Sequence, residues 1–248
     1  MLKIGRAVVA LALLMAASPQ AHAQTQWNDT IFVNVNGGYQ ITSKDFESTS
    51  GFEVYEEPSS LTATQSLESG LVFDVSAGYR LHGNLGFGVG FSMYSSESDV
   101  LVNARVPHPL FFDQFRTVSV TANGAKHRSF ATHLNAIYFW PFNDRIDFAF
   151  SGGPSIVAVN QELISAINIA PEEGPSYVSP EITEITVTEQ RKTAFGFNFG
   201  VDSAYMLTGR YGVGVSLRYL WSSADLEGLS ESLSPGGLQI LGGLRVRF

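Results

Sequence analysis

Seven charged residues stand where strict alternation would put them all on one face of a sheet: Asp74, Arg80, Asp147, Asp202, Arg218, Arg245 and Arg247. Most are flanked on both sides by large apolar residues. Carboxylates and guanidiniums gathered on one enclosed face have two uses. They line a polar passage for ions, or they pair into a salt-bridged plug. A buried charge without a partner is costly, so pairing is expected. Asp202 and Arg218 lie at similar distances from the turn Thr208-Gly209-Arg210, which makes them the pair the spacing suggests.

Other chemistry is thin. His127-Arg128-Ser129 sets an imidazole two residues from a hydroxyl, the raw material of a base–nucleophile pair, although such a pair also needs a group to orient the base. Gly86-x-Gly88 is followed by Phe at position 91, so it makes no dinucleotide fingerprint. His82, His108 and His133 have no metal-ligand spacing, and no Gly-x-Ser-x-Gly elbow occurs. There is no cysteine, so neither a disulfide nor thiol chemistry is available. The expectation is no catalytic, cofactor or metal site, with His127 a residue at the edge of a loop.

The elements that hold the charged residues are read from a period of two. Ile31, Val33, Val35, Gly37, Tyr39 and Ile41 alternate with Phe32, Asn34, Asn36, Gly38 and Gln40. The same rhythm runs through 71–81, 85–93, 130–140, 146–156, 195–207, 211–221 and 238–248, which gives eight strands. Each has about the 9–11 residues of a tilted membrane-crossing strand. Tight joints follow strands two, four and six, at His82-Gly83-Asn84, Pro141 to Asp144 and Thr208-Gly209-Arg210. The other connections are long, near 42–66, 95–126, 161–190 and 222–234. Short turns at one end and long loops at the other predict an all-β fold, an eight-stranded antiparallel up-and-down transmembrane β-barrel with both termini on the short-turn, periplasmic side.

Residues 1–23 predict a secretory signal peptide. Lys3 and Arg6 precede an apolar run from Ala7 to Ala17, and Ala-His-Ala ends at Ala23, so cleavage would leave Gln24 first. Eleven apolar residues are too few to span a bilayer as a helix, which needs roughly 20. The barrel domain would then be 24–248. Without Lys3 and Arg6, 13 basic residues face 23 acidic ones, and no basic stripe exists for a nucleic acid.

A soluble cup would bury its large apolar residues and show water a charged face. Here the second face is Gly, Ser, Asn and Ala with isolated Asp and Arg, which suits the crowded interior of a small barrel. The apolar face carries aromatics at both strand ends. Tyr79, Tyr138, Trp140, Tyr205, Tyr211 and Phe248 gather at one end, and Tyr39, Tyr219 and Trp221 at the other, as two interfacial girdles would. So narrow a barrel favours the plug over the passage.

The chain resembles the OmpA-like and OmpX-like small outer-membrane barrels. The resemblance is carried by Leu85-Gly-Phe-Gly-Val-Gly-Phe91, Phe195-Gly-Phe-Asn-Phe-Gly-Val201, Ser151-Gly-Gly-Pro-Ser155 and Gly242-Gly-Leu-Arg-Val-Arg-Phe248. It implies a place in the outer membrane among lipid and lipopolysaccharide. It also implies that Phe248 is read by the barrel-assembly machinery, and that the peptidoglycan-binding domain of full-length OmpA proteins is missing. His127-Arg128-Ser129 resembles the His-x-Ser of lipid A 3-O-deacylases, but residues 134–143 hold no Asp or Glu to match their acidic partner. The four long loops carry 17 acidic and four basic residues. They are therefore the expected seat of any extracellular partner, through acidic side chains, divalent cations or the apolar Pro107-His-Pro-Leu-Phe-Phe112. The role this implies is structural or adhesin-like, with a narrow passive channel as the alternative and a lipid A-modifying enzyme a more distant one.

Overall fold

The computed structural model describes residues 30–170, 180–226, 229 and 231–248. The expected leader and its cleavage point at Ala23–Gln24 lie outside the described residues. Ten strands follow in order: β1 (Ile31–Ile41), β2 (Lys44–Val54), β3 (Glu57–Leu67), β4 (Gly70–His82), β5 (Leu85–Pro107), β6 (Phe115–Pro141), β7 (Ile146–Ile169), β8 (Ile182–Met206), β9 (Tyr211–Ser222) and β10 (Gly237–Arg247). Eight of them close an antiparallel ring, β5-β4-β1-β10-β9-β8-β7-β6, with β6 paired back to β5. The first and last strands meet from Phe32↔Arg247 to Ile41↔Leu238. Phe248 finishes the seam: its N–H donates to Ile31 O at 2.9 Å, and its carbonyl accepts from Thr30 and Ile31.

Local chemistry sets the tight turns. Gly83 takes the left-handed φ of +57° between β4 and β5, which costs glycine nothing. Asn143 Oδ1 accepts from the N–H groups of Arg145 and Ile146, at 2.9 and 2.8 Å, and folds β6 into β7. Thr208 Oγ1 does the same for Tyr211 at 3.0 Å between β8 and β9.

The long-loop end departs from the expectation. Residues 42–66 are no loose loop but the β2–β3 hairpin, which pairs onto β5 through Ser60–Gln65 against Val100–Arg105. Most of 95–126 and 161–190 is strand as well, since β5 to β8 run 23, 27, 24 and 25 residues. The physical reason is visible in the β-branched alternation of Val100, Val102, Val118, Val120 and of Ile185, Val187, which continues past the ring. The β6–β7 ladder stops at His127↔Gln161 and the β8–β9 ladder at Gly196↔Ser222. Beyond those points the wall parts into two layers, β2-β3-β5-β6 and β7-β8. Leu61, Ala63, Val100, Val102, Val106, Ile164 and Ile167 form an apolar core there.

The outer wall of the ring is apolar: Phe73, Phe87, Phe91, Phe197, Phe199 and Trp221 are all exposed, and Phe195 is 77% exposed. A continuous band of this size would be untenable in water and is what a hydrocarbon phase requires. The positions between them point inward and are buried, as the alternation predicts: Asn36, Gln40, Asp74, His133, Asn198 and Arg218.

The β4–β5 ladder shifts register between Arg80 and His82, and the β6–β7 ladder lapses between His133↔Ser155 and Ala136↔Gly152 with its register kept, where Pro154 has no N–H to give. At Gly153 the backbones close up, so an added Cβ would stand 1.9 Å from the Leu134 carbonyl oxygen. Gly153→Val should therefore destabilise the barrel by about 1–3 kcal/mol, the usual overpacking cost. A lowered urea midpoint in lipid vesicles, followed by tryptophan fluorescence, checks it.

Candidate functional site

Inside the ring the charges form a connected network rather than hairpin neighbours. Asp202 and Arg218 do not pair, and this corrects the sequence expectation. Arg218 Nη1 instead bonds Asp74 Oδ2 at 2.6 Å, reaching from β9 past β10 and β1 to β4. Arg245 from β10 grips Asp202 on β8 through both Nε and Nη2. Asn36 joins the two pairs, donating to Asp74 Oδ1 at 2.9 Å and accepting from Arg245 Nη1 at 2.5 Å. One step toward the short turns, Arg247 Nη2 meets Asp147 Oδ2 at 2.5 Å.

Arg245 reaches across because the inner face of β9 carries Gly214 where it passes. A Cβ on Gly214 would stand 2.7 Å from Arg245 Nε. An arginine spans about two strand spacings of roughly 4.8 Å, so it meets a carboxylate beyond its neighbour once the strand between carries no side chain. Arg80 turns back on its own hairpin, its Nε donating to Gly83 O at 2.5 Å and its Nη2 to Asn84 Oδ1 at 3.3 Å.

Beside the Asp74–Arg218 pair lies a neutral polar layer. His133 is fully buried, with Nε2 2.9 Å from Ser92 Oγ and Nδ1 2.8 Å from Ser155 Oγ. Asn198 Nδ2 bonds Ser155 Oγ, Asn135 Oδ1 and the Gly153 carbonyl, so it serves a backbone oxygen exposed by the broken ladder. Gln239 donates to Gln40 at 2.9 Å, and Gln40 to Pro235 O at 3.0 Å. The sequence placed Asn36 and His133 on this face without marking them as connectors. Nothing in a sequence reports which inward residues meet across a closed ring.

The lumen is not polar throughout, a second correction. Toward the long loops it is filled by Val72, Tyr94, Val157, Leu220 and Leu241, capped by Phe46 from β2 and by Leu226 and Leu233 from the 223–236 connection. At the short-turn end Phe32, Ile137 and Phe139 pack together, with the rings of Phe32 and Phe139 edge to face at 5.6 Å. The space between holds a cavity of about 70 Å³ lined by Asn34, Asn36, Asp147, Asp202, Arg218 and Arg245 among others. That is room for a few waters and not for a hydrated solute.

His127 and Ser129 lie within β6, not at a loop edge. Both point inward and are buried, and His127 Nδ1 is 2.6 Å from Gln161 Oε1. The inward turn follows from parity with Ala131 and His133 on the same face.

The far tip of the long-loop end forms a crest. Leu110, Phe111 and Phe112 stand exposed at the β5–β6 tip, Phe112 at 80%. Tyr55 is exposed at the β2–β3 turn beside them, and Asp113 N donates to Glu57 Oε2 at 3.3 Å to tie the two tips. Tyr55, Glu56 and Asp113, with φ of 54°, 63° and 58°, are the non-glycine residues in left-handed backbone among the described residues. Such strain needs surrounding structure to hold it and clusters at functional surfaces.

The network makes a quantitative demand on the barrel. Asp74→Ala strands the Arg218 guanidinium, whose side chain is 8% exposed, and should cost about 3–5 kcal/mol. The pair Asp74→Leu with Arg218→Met removes both charges and should recover most of that loss. Urea midpoints of the native chain and the two variants in vesicles decide it; a single variant as stable as the double would refute the network as a structural tie.

Among solved structures the chain is similar to Neisserial surface protein A (14% identity over 88% of this chain and 97% of that one, TM-score 0.44). It is also similar to OprG from Pseudomonas aeruginosa (10% identity, 89% and 96%, TM-score 0.45). The outer membrane protease OmpT from Escherichia coli is similar as well (9% identity, 89% and 97%, TM-score 0.47). None of these likenesses bears on activity, and no curated protein matches the chain. The outer membrane protein beta-barrel domain family matches residues 8–245, nearly the whole chain, with seven strands of the ring in full and β10 as far as Arg245. The sequence match and the closed apolar-walled ring agree, and this chain belongs to that family of Gram-negative outer-membrane barrels.

Proposed function

We propose that the protein is a filled outer-membrane scaffold carrying an adhesin-like binding surface, with neither transport nor catalysis. One observation carries this reading: β5 to β8 continue past the ring as two layers with their own apolar core and end in the Tyr55 and Leu110–Phe112 crest. A connection that only joins two strands needs no core. A core makes the crest rigid before contact, which lowers the ordering cost of binding. Acidic residues around it, Glu56, Glu57 and Asp113, favour a partner with an apolar recess and basic rim.

The reading includes an orientation. The crest faces outward, and both termini, with Phe248 as the assembly signal, face the periplasm. Residues 1–23 direct export and are removed at Ala23–Gln24. The acidic long-loop segments bind divalent cations that bridge to lipopolysaccharide. Against a channel stand the two apolar closures of the lumen. Against a lipid-modifying enzyme stands the inward, buried position of His127 and Ser129.

Two measurements test this. The purified protein in planar bilayers should give no stable conductance, whereas long-lived steps would overturn the closed scaffold. The native chain has no cysteine, so single replacements report cleanly. Asn123→Cys should react with a membrane-impermeant maleimide on intact cells, and Gly209→Cys should react only after lysis; the reverse pattern inverts the orientation.

A further inference from the structure

β1 and β10 are the two ends of the ring, so no turn joins them. In a hairpin the turn fixes the register, and here that constraint is missing. The lipid side of the seam supplies no substitute. Val33, Val35, Tyr39 and Ile41 face Val246, Leu244, Ile240 and Leu238. Because faces repeat every two residues, sliding β10 by two in either direction still sets apolar residues or glycine against apolar ones. Gly37-Gly38 and Gly242-Gly243 thin the seam further, and glycine-rich strands are prone to slip.

The lumen side discriminates. Gly243 stands opposite Asn36, and an added Cβ would run into the Val35 carbonyl oxygen and the Asn36 Cα. Gly38 stands opposite Leu241, and an added Cβ would meet the Ile240 carbonyl oxygen. Each strand thus presents a glycine where the backbone of the other closes on it. A two-residue slip brings Arg245 or Leu241 into the place of Gly243, and Asn36 or Gln40 into the place of Gly38.

Polar contacts over the seam select the same alignment. Gln239 Nε2 donates to Gln40 Oε1 at 2.9 Å between directly paired, fully enclosed residues. After a slip Gln40 would face Leu241 or Gly237. Arg245 of β10 meets Asn36 of β1, and Arg218 of β9 meets Asp74 of β4. A slip displaces each pair by about 7 Å along the wall, which strands buried polar groups without partners.

We propose that the inward face of the β1–β10 seam is a register key that admits one alignment of the last strand when the ring closes. The glycine gaps reject the neighbouring alignments by overlap. The Gln40–Gln239, Asn36–Arg245 and Asp74–Arg218 contacts favour the native one. Fixing a register is the best-attested use of buried polar groups, more so than adding stability. The choice matters because shear and strand number together set the tilt and width of a barrel. A slipped ring has a different bore, in which the side chains that fill the lumen no longer meet. The key acts whichever end of the barrel faces outward.

Cysteine pairs on the lipid side read the alignment, since the native chain has no cysteine. Val35→Cys with Leu244→Cys reports the native register. Val35→Cys with Val246→Cys, or with Gly242→Cys, reports the two slipped ones. Disulfide formation under a membrane-permeant oxidant is scored in lipid vesicles, and folding by the heat-dependent shift of the band in detergent electrophoresis. In the native chain the first pair should react at least about tenfold more than either slipped pair. The key is then moved. Gln239→Leu, Leu241→Gly and Gly243→Leu shift the gap by two residues, while Gln40→Leu, Asp74→Leu and Arg218→Met remove the polar contacts. Val35→Cys with Gly242→Cys should become the dominant pair. A folded variant still dominated by Val35→Cys with Leu244→Cys overturns the key, as does equal reaction of all three pairs in the native chain. If the moved key prevents folding, the four polar replacements alone (Gln40→Leu, Gln239→Leu, Asp74→Leu, Arg218→Met) should raise the slipped pairs at least about tenfold. No rise there overturns it equally.

Discussion

In hydrocarbon no water is present to satisfy a backbone N–H or carbonyl, so a sheet there must have no open edge. The seam between β1 and β10 meets that requirement, completed by the exchange between Phe248 and Ile31. Everything else in the ring follows from closing it with only eight strands. A ring this narrow leaves an interior just wide enough for side chains, which therefore must be small, or must pair.

Both solutions appear, arranged by depth. Near the short turns Arg245 and Arg247 of β10 cross to Asp202 and Asp147, while Arg218 meets Asp74 about as far up the wall as His133. At mid-height His133, Asn198, Gln40 and Gln239 satisfy one another without net charge. Toward the long loops apolar side chains take over, because chain segments from outside the ring, bearing Phe46, Leu226 and Leu233, cover the mouth and exclude water. The charges thus lie between apolar side chains at both ends of the lumen.

The same closure explains why the long-loop end can be rigid. Past the ring, ladders no longer need to close, so β6 parts from β7 and β8 from β9. The freed layers find a new core in each other, and exposed strands that would fray are instead tied down.

The sequence by itself determined the ring. Alternation in each segment set strand number and which residues face lipid, because side chains in a strand point to opposite faces at every step. It also set the three tight turns, since Gly83, Asn143 and Thr208 act on their immediate neighbours. Who meets whom across the lumen was decided only by the tertiary structure. Arg218 finds Asp74 rather than Asp202, and Asn36 becomes the link to Arg245, because the stagger of the closed ring fixes those distances. The same holds for the long connections. Their alternation hinted at strand, but whether Val102 and Ile164 share a core depends on two layers that the chain brings together only after the ring has closed.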